Sequence, residues 1–171
     1  MNLFYIKNPT AAGNFYMIID QKDIVRASGF GNLKELKSRL PKEFRTVALK
    51  KAPEHPYSAL VTQYFNGDIS ALDSIPYSQI GSEFYKKIWR TMTNVKPGKT
   101  ISYKQLAKQA GNPSAVRAAG TACGQNRLVL LVPCHRILKS DGSIGNYLYG
   151  SKIKSQLLQL ERGFANRQGV V

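Results

Sequence analysis

At 171 residues with 43% apolar side chains, the chain can bury a core as one domain or as two small ones. No stretch approaches the roughly eighteen apolar residues of a membrane span, and Met1 to Gly13 lacks both an apolar core and a small-residue cleavage pattern, so neither a span nor a secretory signal is indicated and a cytoplasmic protein is expected. Residues 1–78 carry ten basic and seven acidic side chains. Residues 79–171 carry fifteen basic and three acidic ones (Glu83, Asp141, Glu161), a net +12 that favours a polyanion partner over a membrane surface.

Leu3 to Ile6 and Phe15 to Ile19 read as strands around a turn at Ala11-Ala12-Gly13-Asn14. A second polar turn, Asp20-Gln21-Lys22-Asp23, precedes a third strand from Ile24 to Ala27. Leu33, Leu36 and Leu40 recur at helical spacing until Pro41, and Tyr57 to Phe65 reads as a helix ended by Asn66-Gly67. Nothing here has chemical spacing. Residues 1–78 are therefore expected to form a small α/β domain with a structural role, and the polar stretch 67–79, with Pro76, is expected to be the boundary to a mainly α second domain, 79–171.

Ser82 is placed to cap a helix from Glu83 to about Asn94, whose Phe84, Ile88, Trp89 and Met92 share one face; Trp89 is expected in the core. A winged-helix-like helix-turn-helix is predicted over about 103–123. Its first helix runs from Tyr103 to Ala110, Gly111-Asn112-Pro113 breaks it, and a second helix follows from Ser114 to about Cys123. The second helix is rich in small residues (Ala115, Ala118, Gly120, Ala122) that permit close approach to a neighbouring surface, and Arg117 is its one charged residue.

The run Leu128-Val129-Leu130-Leu131-Val132 has the length and composition of a buried strand or extended segment and leads into Pro133-Cys134-His135-Arg136. Pro133 fixes φ, so Cys134 is held where an apolar segment meets a basic loop. Thiolate is the reactive form of Cys, and nearby imidazole and positive charge favour it. Adjacent residues of a strand face opposite ways, so pairing Cys134 with His135 requires a turn, a helix start or a bridging water. Glu161, near the end of a predicted helix from Ser151 to Leu160, is a better group than Asp141 to orient the imidazole. The two cysteines, Cys123 and Cys134, have no secreted context that would support a disulfide, and with His55 and His135 they do not match zinc spacing, so no metal site is expected.

Pro133-Cys134-His135-Arg136 followed by Gly145-Asn146-Tyr147 resembles the active-site signature of the O6-alkylguanine-DNA alkyltransferases. The resemblance extends back through Ile101-Ser102-Tyr103, Leu106-Ala107, Gly111-Asn112-Pro113, Arg117 and Asn126 and forward to Glu161, covering about residues 80–162. It implies direct-reversal repair without a cofactor: a monomer binds duplex DNA, flips out O6-alkylguanine (with O4-alkylthymine a second candidate) and moves the alkyl group irreversibly to Cys134. It further implies that His135 takes the thiol proton through a water, Glu161 orients His135, and Asn126 braces the turn. Tyr103 would protonate the leaving guanine and help turn the nucleotide out, while Arg117 would fill the space left in the duplex. Ala115 and Gly120 would lie close to DNA in the minor groove, and Gly145, Asn146, Tyr147 and Leu148 would line the base pocket.

The match has departures. Leu148-Tyr149-Gly150 stands where family members commonly carry smaller residues or a Trp, which bears on bulky adducts, and residues 1–78 lack the zinc ligands of some relatives. The competing reading within the same residues is a non-catalytic protein that binds alkylation lesions and recruits other factors. A thiol hydrolase built on Cys134, His135 and Glu161 leaves the basic half without a role. An operator-specific regulator finds few base-reading groups on a helix with one charged side chain.

Overall fold

The computed structural model describes residues 1–167 and 169, and the chain divides into two units. The first comprises Met1–Ile80 together with Arg127–Leu131; the second comprises Gly81–Asn126 and Val132–Val171. Among the described residues, no helix is long and apolar enough to cross a membrane.

In the first unit, β1 (Leu3–Thr10), β2 (Gly13–Asp20), β3 (Val25–Phe30) and β4 (Leu49–Lys51) form a mixed sheet in the order β3-β2-β1-β4. The antiparallel pair β1–β2 is joined at Ala11-Ala12, with Thr10 opposite Gly13, whose φ of 116° suits the two-residue turn. Both strands run further than their apolar cores suggested, because the hairpin register carries polar residues to the turn. One face of the sheet is covered by α1 (Leu33–Ser38), α2 (Lys42–Arg45) and the turn between them, which pack Leu36, Phe44 and Leu40 respectively against Leu3, Tyr16, Ile18 and Ala27. Helix α3 (Pro56–Phe65) packs against β1. Helices α1 and α3 begin with side chains that accept from exposed backbone N–H groups, Asn32 for α1 and His55 for α3.

Two expectations are corrected here. The polar stretch 67–79 is not itself the seam between the units, since the first unit runs through it to Ile80: Ile69–Leu72 forms a 3₁₀ turn that buries Ile69, Ala71 and Leu72, Ile75 is buried, and Val25 bridges Tyr77. The apolar run 128–132 is not a strand either. Leu128 makes a single bridge to Ser28, with Ser28 N–H donating to Arg127 O and Ser28 Oγ–H to Val129 O, and the chain then turns at Leu130, where φ is +75°. A left-handed Leu is costly and ends any continuation as a ladder. Residues 127–131 thus belong to the first unit, so the division is not the single cut after residue 78 that was expected.

The second unit is mainly helical: α4 (Glu83–Thr93), α5 (Tyr103–Gln109), α6 (Val116–Gly124) and α7 (Ser151–Arg167), with a two-stranded parallel ladder of β5 (Ile101–Ser102) and β6 (Ile137–Leu138). Ser82 caps α4, which buries Ile88, Trp89 and Met92; Trp89 is a core residue whose Nε1–H donates to Ala122 O at 2.8 Å. Ser102 and Gln105 form a reciprocal capping box at the start of α5. Helix α6 starts two residues later than expected. Ala115 is its cap position, and its methyl offers no acceptor, while the nearby Ser114 Oγ–H donates to Asn112 Oδ1.

Candidate active site

Cys134 is positioned by three local devices. Pro133 adopts φ −81° and ψ 66°, and Cys134 N–H donates to Val132 O at 2.8 Å, which is an inverse γ-turn. A 3₁₀ turn over Cys134–Arg136 follows at once, so Cys134 and His135 are not held on opposite faces of a strand. The third device is Asn126, fully buried just after α6. Its Nδ2 donates to Val132 O at 2.8 Å and approaches Cys134 Sγ at 3.3 Å. An N–H donor aimed at sulfur favours negative charge there. Neither cysteine is in a disulfide.

His135 and Glu161 are both 0% exposed. His135 Nε2 lies 2.7 Å from Glu161 Oε1, while Arg136 grips the same carboxylate from its Nε (2.9 Å, to Oε2) and Nη2 (2.9 Å, to Oε1) and donates from Nη1 to Val95 O. Gly98 N–H adds a longer contact to Oε2. Only Gly fits at that position: its φ is +75°, and a Cβ would stand 2.7 Å from that of Ala165. Burial alone would raise the Glu161 carboxyl. The charge and hydrogen bond of His135, then those of Arg136, outweigh it and hold the group well below the usual carboxylate range.

An ionised carboxylate only accepts, so the Nε2 facing it carries a proton, which leaves Nδ1 as the nitrogen where a second proton can be gained or lost. Nδ1 is buried and meets no hydrogen-bond partner among the described residues. The imidazole is thus oriented through Nε2, and Nδ1 is left without a partner among the described residues. The pH dependence follows from the sign of the carboxyl shift. A depressed folded value contributes stability that is fully present above the unfolded value of about 4.3 and is lost as pH falls through the folded value. Thermal melts are expected to fall in Tm below about pH 4, with a shallower fall in Glu161→Gln; superimposable slopes would remove Glu161 as the source.

Tyr103, the first residue of α5, is half-buried, and a Cβ on Gly120 or Gly145 would come within 3.9 and 3.6 Å of its ring. Gly145 has φ +68°, a left-handed turn that favours Gly, while the ring stands at ordinary contact distance. Burial first, then the nearby charges of Cys123 and Cys134, push the Tyr103 hydroxyl up to about 12, which keeps it protonated and able to donate. Tyr147 is half-buried, whereas Asn146 and Leu148 stand exposed.

The structure therefore joins Cys134, His135, Asn126 and Glu161 in one cluster and sets Tyr103 beside Gly120 and Gly145. Arg117 is exposed on α6, and Ala115 sits at that helix's start, outside the cluster's hydrogen bonds. Two residues escaped the sequence reading: Arg136, assigned only as positive charge, and Lys154, assigned nothing. Both are buried. The available signal was position, since Lys154 lies seven residues, two helical turns, before Glu161.

The family model of the DNA-binding domain of 6-O-methylguanine DNA methyltransferase matches residues 83–163, the stretch that holds every residue of this cluster. Over those residues, just under half of its length, the chain matches the O6-alkylguanine-DNA alkyltransferase family. It is 36% identical over 116 residues to the regulatory protein ada of Salmonella typhimurium, covering 64% of this chain and 33% of that protein. With a methylated-DNA–protein-cysteine methyltransferase of Kluyveromyces lactis it shares 46% identity over 83 residues, 48% of this chain and 44% of the relative. The matched stretch thus spans less than half of either alkyltransferase-family relative. An O6-methylguanine methyltransferase of Mycobacterium tuberculosis superposes with a TM-score of 0.78 at 25% identity, covering 95% of this chain and 94% of that one.

Proposed function

We propose that this chain removes the alkyl group from O6 of guanine flipped out of duplex DNA and keeps it on Cys134 Sγ. The observation that carries the reading is the buried arrangement of a sulfur beside an amide donor, followed directly by a histidine whose Nε2 is held on an ionised carboxylate. His135 Nδ1 takes the thiol proton through a bridging water. The sulfur forms a bond to the alkyl carbon as the carbon–O6 bond breaks, and Tyr103 gives its hydroxyl proton to the departing base. The proton on His135 then returns to Tyr103 through solvent, which balances the transfer. The thioether is a stable product that does not give back the thiol, so one molecule repairs one lesion.

DNA contact is assigned to α6 and the basic surface of the second half. The start of α6 lacks a side-chain cap, which leaves backbone N–H donors for a phosphate, and Arg117 is exposed in its first turn. Ala115, Ala118 and Gly120 keep that face low enough for a narrow groove. The charge supplies affinity that is independent of sequence and falls with salt. Arg117→Ala is expected to slow repair of duplex DNA by about ten- to a hundredfold while leaving reaction with free O6-methylguanine base unchanged. Second-order rates on the two substrates check this, and equal losses would count against Arg117 entering the duplex.

The deciding experiment is intact-protein and peptide mass after mixing with duplex DNA that carries one O6-methylguanine. A single methyl increment on the Cys134 peptide, with one guanine restored per protein consumed, is the expected result. An unmodified protein that still binds the lesion, or continued turnover with an unmodified Cys134, would overturn it.

A further inference from the structure

Lys154 is a lysine with no exposed surface, and the transfer chemistry above does not use it. A cation is kept in such a place only when its charge and all its donors are employed. Its Nζ donates to Ile137 O, directly after the reactive turn, and to Asn146 O at 3.5 Å, in the loop after the ladder. The same Nζ lies 6.0 Å from the ring centroids of Tyr103 and Tyr147. One ammonium group thus bonds to the chain leaving Cys134 and to the loop at Asn146, and faces the rings of both tyrosines of the site.

We infer that Lys154 is a positioning residue of the transfer site, pinning the 145–147 loop and the reactive turn around Tyr103 while its charge lies within electrostatic reach of the Cys134 sulfur. The inference rests on the alkyl-transfer reading for its purpose and on geometry for its substance. The ionisable groups that face Lys154 are Cys134, Cys123 on α6, Tyr103 on α5 and Tyr147 in the loop, none of them a carboxylate. Burial pushes the Lys154 ammonium down and the charges of the two thiols push it back up, so the lysine and an ionised Cys134 support one another. A buried cation without a carboxylate partner is thereby supplied with a partner at the moment thiolate forms.

The test separates charge from hydrogen bonding. Lys154→Gln keeps N–H donors for the two carbonyls and loses the charge; Lys154→Arg keeps the charge. The rate of iodoacetamide addition to Cys134, followed by peptide mass as a function of pH, reports thiolate without DNA or lesion. Lys154→Gln is expected to move the inflection up by about one pH unit, making addition about tenfold slower at neutral pH, and to slow transfer from O6-methylguanine DNA by a similar factor. Lys154→Arg is expected to keep the inflection near that of the wild type. An unchanged inflection in a Gln variant that melts cooperatively, or equal displacements in Gln and Arg variants, would overturn the proposal. Lys154→Met is read in place of the Gln variant should that one fail to fold. Wild-type protein that takes no methyl from the lesion would sink the transfer reading instead, with the iodoacetamide profiles still judging Lys154.

Discussion

Glu161→Gln is expected to lose both stability and transfer rate, the largest combined effect of any single substitution in the site. The carboxylate is fully buried and receives His135 and two nitrogens of Arg136. A Gln amide fits the space but returns one N–H where an acceptor is needed, and it leaves the Arg136 charge buried without its partner. Breaking a buried pair from one side costs about 3–5 kcal/mol, so the variant should melt well below the wild type. For the reaction, His135 loses the group that fixes its tautomer and orientation, and general-base assistance of this kind is worth roughly 10²–10⁴-fold. Single-turnover transfer rates at a temperature where both proteins are folded measure that loss separately from stability. A folded variant with a normal rate would remove Glu161 from the relay. Arg136 and Glu161 share atoms, so their substitutions should not be additive, and a double-mutant cycle would report the coupling.

Cys134→Ser is expected to abolish transfer while keeping the fold and binding to lesion-bearing duplex. The hydroxyl is smaller than the thiol and still accepts from Asn126, so the γ-turn and the 3₁₀ turn have no reason to change. It is, however, a far weaker nucleophile at neutral pH, because it is almost wholly protonated. Gel-shift affinity for O6-methylguanine duplex and methyl transfer measured on the same preparation give the two readouts. Retained binding with no transfer places Cys134 in the chemistry alone. Should wild type and variant bind the lesion equally and neither restore guanine, the chain would act as a lesion-binding protein that needs no nucleophile.

Much of the site was legible in the sequence, and the omissions share a physical cause. The adjacency of Cys134 and His135 and the placing of Glu161 on a helix were readable, and Ser82 and Ser102 marked helix starts that the structure contains. What periodicity could not supply was the backbone path at Pro133, where a γ-turn passes into a 3₁₀ turn. The apolar run before it signalled burial correctly, but burial does not distinguish a strand from a turn, and Leu130 turns. Arg136 and Lys154 were hidden by a basic composition that makes any cation look like surface, although both lie inside and bond to named acceptors. The stretch 67–79 was judged by its polar residues, whereas Ile69, Leu72 and Ile75 recur every third residue, the spacing of a 3₁₀ turn.

The five residues Arg127–Leu131 make the first unit discontinuous in sequence, and this bears on how modules of the family can be exchanged. A chimera that joins a foreign N-terminal half at residue 80 would replace Ser28 while keeping its native partners in Arg127–Leu131, and so would split one compact unit between two ancestries. Those five positions lie inside the stretch that matches the family's DNA-binding domain. They nevertheless belong to the first unit, joined to Ser28 through their backbone, so they should diversify in step with residues 1–80. A transplant that respects the fold therefore carries two segments, one of eighty residues and one of five.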